Sequence, residues 1–145
     1  MANFEERLKI GNTAEDIISK LLFDKYNDIT TERQDEKNRF IMRHDITTQS
    51  ARKIEVKHDL RFKQTGNIFI ETNNKLGEKS GLKITTASEW FFILDNLIYS
   101  IKTKQLKKII KNKDLKFIKH SPRNGAGFII PFDYYKNLFT LEHII

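Results

Sequence analysis

The stretch Arg52-Lys53-Ile54-Glu55-Val56-Lys57-His58-Asp59 constrains the fold more than any other. Apolar and charged residues alternate over 54–57 between basic and polar flanks, which is the pattern of a half-buried strand. Side chains alternate faces along a strand, so Ile54 and Val56 point one way and Glu55 and Lys57 the other. A carboxylate and an ammonium therefore stand two residues apart on one face. Asp45 lies ten residues upstream of Glu55, and Glu15 sits further back in a helical segment.

The rest of the composition sets bounds. A chain of 145 residues is expected to form one domain with a core of its own, and 39% hydrophobic content with eleven Phe supports a globular fold. There is no cysteine, which excludes disulfides and thiolate metal sites. The longest apolar run, Trp90–Leu94, is too short to span a bilayer. The first residues show no basic region followed by an apolar core, so no signal peptide is expected and the protein reads as soluble, intracellular and cytoplasmic. The formal net charge of +7 favours a polyanionic partner. A Lys-, Asn- and Ile-rich composition also arises wherever a genome is AT-rich.

Taken in order, Phe4, Leu8, Ala14, Ile17, Ile18, Leu21 and Leu22 recur at helical spacing, predicting an amphipathic helix from about Asn3 to Phe23. Glu15 falls beside its apolar stripe, either at the rim or held toward a site. Asp28–Arg33 reads as a first strand, Gln34–Asn38 as a polar turn, and Phe40–Ile46 as a second strand ending at or near Asp45. The Ile54–Lys57 strand follows, then a turn at Gln64–Asn67 and a strand Ile68–Glu71. Asn73–Gly81 reads as a mobile loop and Thr85–Ser88 as a short helical turn. Trp90–Leu94 and Leu97–Ile101 flank the hairpin signal Asp95-Asn96. Thr103 is expected to cap a helix Lys104–Asn112, with Leu106, Ile109 and Ile110 inward and its lysines outward. Leu115–His120 and Phe128–Pro131 read as strands around a basic glycine loop, Ser121–Gly127. Asp133 is expected to cap a last helix through Phe139.

Three carboxylates and a lysine are the inventory that a hard divalent metal and a phosphodiester require. Asp45, about ten residues, and then Glu55-Val56-Lys57 resembles the PD-(D/E)XK nuclease superfamily, which includes type II restriction enzymes and archaeal-type Holliday junction resolvases. Gly11-Asn12-Thr13-Ala14-Glu15 looks like the start of the resolvase branch. Thr65–Glu71 followed by Ser80-Gly81 looks like small phage and prokaryotic nucleases of the superfamily. The resemblance covers about residues 10–110. His44 stands where the superfamily's name expects proline, and reads either as a DNA contact or as an exposed histidine at a strand end.

The resemblance implies an α/β fold, a restriction-endonuclease-like mixed central sheet flanked by helices. It implies that Asp45 and Glu55 bind Mg2+ or Mn2+, with the Val56 backbone carbonyl as a further ligand and Glu15 supporting through water. Lys57 would orient the attacking water and neutralise charge on the phosphate, and Glu71 would be a supporting carboxylate or half of a buried pair. Magnesium keeps several waters, so two carboxylates suffice as direct ligands. A lysine beside carboxylates stays charged, which suits electrostatic stabilisation. Glu55 and Lys57 also fit an ordinary solvent-facing ion pair.

Candidate DNA contacts are Lys104, Lys108 and Lys111 on the basic helix, Arg123 in its glycine loop, and Lys75 and Lys79 in the polar loop. Such point charges hold phosphates without reading bases. The expected function is metal-dependent DNA hydrolysis, as an endonuclease acting on branched DNA and working as a homodimer, without a membrane partner. A non-catalytic nucleic-acid-binding module, or an RNase of the same chemistry, fits the same residues.

Overall fold

Trp90-Phe91-Phe92-Ile93-Leu94 is buried on both faces, so its strand lies at the centre of the protein. Our structure, a computed structural model, describes residues 4–33, 43–119 and 125–145. The chain runs α1 (Phe4–Tyr26), β1 (Thr30–Arg33), β2 (Ile46–Thr48), β3 (Lys53–His58), α2 (Phe62–Thr65) and β4 (Asn67–Asn74). A 3-10 turn at Gly81–Lys83 leads to the hairpin β5 (Glu89–Leu94) and β6 (Leu97–Lys102). Then come α3 (Thr103–Ile109), β7 (Lys116–Ile118), β8 (Gly125–Pro131), α4 (Phe132–Tyr135), a 3-10 turn at Lys136–Leu138, and β9 (Thr140–Ile144).

The strands form a six-stranded sheet, ordered β1-β2-β3-β5-β6-β9, and a three-stranded one, ordered β4-β8-β7. β3 and β5 pair in parallel while the other pairs in the large sheet are antiparallel, so that sheet is mixed. One face of the large sheet presents Ile54, Val56, Phe91, Ile93 and Ile98 to Ala14, Ile18, Leu21 and Leu22 of α1. The other presents Trp90, Phe92, Leu94 and Tyr99 to Ile68, Ile70 and Ile130 of the small sheet, with Leu106 of α3 and Phe132 of α4 closing the core. Burying an aliphatic or aromatic side chain of this size contributes about 1.5–3 kcal/mol, so both faces of the large sheet are anchored. The result is a single α/β domain: helix, mixed sheet, second sheet. Arg52 ties β3 to β5 from outside, forking onto Glu89 through Nε at 2.9 Å and Nη2 at 2.7 Å.

Several expectations are corrected. The second strand begins after Asp45 rather than ending there; the Asp45 N–H still bonds to Ile54 O, and its side chain takes the Val56 N–H. Its expected first half, residues 40–42, and the polar turn at 34–38 lie outside the described residues. β4 runs on to Asn74 and folds back through Asn74 N–H to Glu78 O at 2.9 Å, so the expected loop is a tight connection between paired segments. The helical turn falls at Gly81–Lys83 rather than 85–88. Thr103 does not cap α3: Lys102 holds that position, and the Thr103 hydroxyl donates to Ala87 O at 2.7 Å. α3 ends at Ile109, and Gly125–Gly127 belong to β8. Pro131, not Asp133, precedes α4, and the expected long last helix is two short turns followed by an additional strand, β9. Among the described residues no helix is long and apolar enough to cross a membrane.

Candidate active site

β2 is short. It pairs with β3 only at Ile46–Ile54 and Thr47–Lys53, and Asp45 N–H adds one bond to Ile54 O at 2.9 Å. Beyond that point the Val56 N–H donates to Asp45 Oδ2 at 2.8 Å. A carboxylate thus satisfies a backbone donor that a longer β2 would have satisfied. The N–H and C=O of one residue leave a strand on the same side, so the Val56 carbonyl also faces the Asp45 side.

The strand alternation read from the sequence holds. Ile54 and Val56 enter the core beneath α1, while Glu55 and Lys57 share the opposite face with Trp90 and Phe92, their register partners on β5. The Glu55 and Asp45 carboxyls lie close enough for each to shift the other's titration. Lys57 Nζ lies 3.4 Å from Glu55 Oε1, with the Glu55 side chain 15% exposed and that of Lys57 45% exposed.

Burial dominates the electrostatics. Burial raises the Glu55 pKa, Lys57 pulls it down and Asp45 pushes it up again, leaving it at about 8. Burial also raises Asp45, against the pull of Lys57 and the Val56 N–H. The neighbouring Glu55 charge raises Lys57 above the usual lysine range, so it remains a cation. Near neutral pH burial therefore favours a proton on Glu55, which a divalent cation would displace.

Glu15 reaches toward this pair from α1. Its side chain is 12% exposed, 3.7 Å from Arg33 Nε. Burial, and then the Asp45 charge, raise it to about 7, and its Oε1 is buried without a hydrogen-bond partner. Among the described residues no group of three acidic, His or Cys side chains is gathered tightly enough to hold an ion. Asp45 and Glu55 are thus the adjacent carboxyls, and Glu15 stands off from them. Two neighbouring carboxyls of raised pKa, with a third near by that Arg33 pairs only at 3.7 Å, fit a hard cation that keeps most of its waters.

Lys57 also borders a cavity of about 210 Å3 between the two sheets. Its Nζ lies 5.6 Å from the Trp90 ring centroid, a cation–π arrangement. Across the cavity is Glu71, whose charge also favours protonated Lys57. Glu71 Oε2 accepts the Ser80 hydroxyl at 2.7 Å, and a Cβ on Gly125 would meet Glu71 Oε1 at 2.2 Å. A bare glycine backbone is what lets the carboxylate lie there. Glu71 is therefore held by Ser80 and β8, near Lys57 and apart from the Asp45–Glu55 pair. Sequence reasoning passed over Trp90 and Asp59. Trp90 stands opposite Glu55 in register; Asp59 Oδ2 accepts the Phe69 N–H at 3.2 Å and lines the same cavity.

His44 is 5% exposed, not the exposed strand-end histidine expected. Nδ1 meets Thr86 Oγ1 and Nε2 meets Thr47 Oγ1, each at 2.7 Å, and burial lowers its pKa. Both ring nitrogens are engaged in holding the turn before β2.

The basic residues divide into separate places. Lys104 and Lys108 border a polar groove with Arg52, Glu89 and Glu142, while Lys111 borders a different cavity on the other flank of α3. Lys75 and Lys79 are exposed on the tight connection after β4. Arg123 lies outside the described residues. Comparison with family models, curated proteins and solved structures finds no match to this chain.

Proposed function

We propose that this protein is a divalent-metal-dependent nuclease with a restriction-endonuclease-like fold, hydrolysing DNA phosphodiesters as an endonuclease of the PD-(D/E)XK type. The observation that carries this reading is the meeting of the Asp45 and Glu55 carboxyls at an open strand edge, with Lys57 Nζ 3.4 Å from Glu55. Asp45, Glu55 and the Val56 carbonyl would hold Mg2+ or Mn2+, with Glu15 acting through water. The ion supplies Lewis-acid polarisation of the phosphate and a more acidic water.

The protein's own groups divide the remaining work. Lys57 stays charged and half exposed, so it can meet a phosphate and offset the negative charge that builds during attack. The Glu71 charge and the Trp90 ring also help to hold Lys57. The net charge of +7 favours a polyanionic substrate. Among the described residues no element has the form of a base-reading helix, which favours recognition of DNA structure over sequence. A resolvase-like activity on branched DNA requires two symmetric cuts, and so a homodimer. β9 forms one edge of the large sheet and exposes Leu141 and Ile144, an apolar edge of the kind that pairs with another chain.

The test is incubation of the protein with a four-way junction, linear duplex, single-stranded DNA and RNA at matched salt, with and without Mg2+. Metal-dependent cleavage with the junction preferred is the expected result. Binding without cleavage under Mg2+ and Mn2+ would assign a non-catalytic module, and cleavage of RNA alone an RNase.

A further inference from the structure

A second cavity, of about 410 Å3, opens between α3 and the small sheet. Its apolar lining includes Leu82, Phe117 and Phe128, and Lys83, Lys107 and Lys111 also border it. Phe117 and Phe128 meet edge to face, with centroids 5.1 Å apart, which fixes the Phe117 ring although it is 43% exposed. Among the described residues none of the three lysines is paired with a carboxylate, and no acidic side chain lines the cavity. The neighbouring Asn73 side chain, which carries no charge, accepts from the Thr72 hydroxyl at 2.9 Å and from Lys83 Nζ at 3.5 Å and donates to Gly77 O at 3.2 Å. The cavity thus offers a ligand a presented aromatic ring and three unneutralised cations.

We infer that this cavity binds one unpaired nucleotide of a nucleic-acid strand, its base stacked on Phe117 and its flanking phosphates held by Lys83, Lys107 and Lys111. Flat aromatic faces with lysines at the margin suit single strands, because every base has a π-face and every link a phosphate. A duplex keeps its bases stacked inside and offers Phe117 nothing. The location also suits the role. Glu71 and Gly81 border the cavity beside Lys57, and the next residues along the same two segments, Thr72 and Leu82, border this one. The two cavities share a wall. The inference deepens the nuclease reading, on which its biological use rests, by naming a substrate with an unpaired segment; the binding itself stands apart from catalysis.

The test uses the full chain in EDTA, with fluorescently labelled oligothymidylate and a blunt duplex of equal length at one salt concentration. Phe117→Ala is expected to weaken oligothymidylate binding by about ten-fold while changing duplex binding less than about two-fold. Phe117→Trp should restore single-strand binding and report it through quenching of the added indole. Lys107→Glu, on an exposed helix position, gives a second variant that does not depend on Phe117 packing, and it should weaken the single strand more than the duplex. Competition by oligouridylate supports the site, since stacking does not distinguish the sugars. Equal loss for duplex and single strand, no loss in either variant, or stronger competition by polyglutamate than by oligothymidylate would overturn it. A wild type that binds oligothymidylate through Phe117 yet cuts nothing with Mg2+ would sink the nuclease reading and leave this site standing.

Discussion

Asp45 Oδ2 and the Val56 N–H, 2.8 Å apart, close the edge of β3 where β2 has ended. One side chain thus serves both fold and site: a single oxygen satisfies a buried donor while the carboxyl meets Glu55. The two duties separate by substitution.

Asp45→Asn keeps an oxygen that can accept from Val56, whereas Asp45→Ala leaves that N–H without a partner. Denaturant unfolding in EDTA should show the alanine variant less stable than the asparagine variant by about 1–3 kcal/mol. Both should lose Mn2+ binding, measured by calorimetry.

The raised Glu55 pKa makes stability depend on pH. Its folded value of about 8 lies above the unfolded value of 4.5, so the unfolded chain gives up this proton first as pH rises. Its contribution is fully present below about pH 4.5 and is lost as pH rises through about 8. Without metal, unfolding free energy should therefore fall across this window, and Glu55→Gln should flatten that fall. Mn2+ should bind more tightly as pH rises across it, with proton release. A pH-independent stability difference between wild type and Glu55→Gln would contradict the raised Glu55 pKa.

Gly81 and Gly77 both have positive φ, 53° and 81°, but only at Gly81 would a Cβ meet backbone, 2.2 Å from Glu71 O. Gly77→Ala should cost about 1 kcal/mol, from backbone conformation alone. Gly81→Ala should cost more and should also disturb Glu71, visible as a larger drop in denaturation midpoint.

The site was legible in sequence because a strand transmits its alternation directly into space: Glu55 and Lys57 had to share a face once Ile54 and Val56 were buried. Asp45 was legible as a carboxylate at a strand terminus, though it was read at the end of that strand rather than before its start, and its capture of the Val56 N–H was not legible, since that depends on where β2 pairs. β9 escaped notice because its pattern is inverted. Glu142 points inward and Leu141 outward, against the hydrophobic rule. Glu142 is tolerated there because it accepts from Lys25 Nζ at 2.8 Å, Ser100 Oγ at 2.6 Å and the Tyr26 hydroxyl, two of them from the end of α1 and none of them close in sequence. Thr103 was misread for a related reason: its hydroxyl has a tertiary acceptor, Ala87 O, in place of the local N–H of a cap.

The most direct test of the carboxyl pair as a hydrolytic metal site is the rate of Mg2+-dependent nicking of a branched DNA by wild type and by Glu55→Gln, beside DNA binding in EDTA. The expected result is nicking by wild type that requires the metal and falls at least about 100-fold in the variant, with binding retained. Nicking that survives Glu55→Gln, or a wild type that binds DNA and never cuts it, would contradict it.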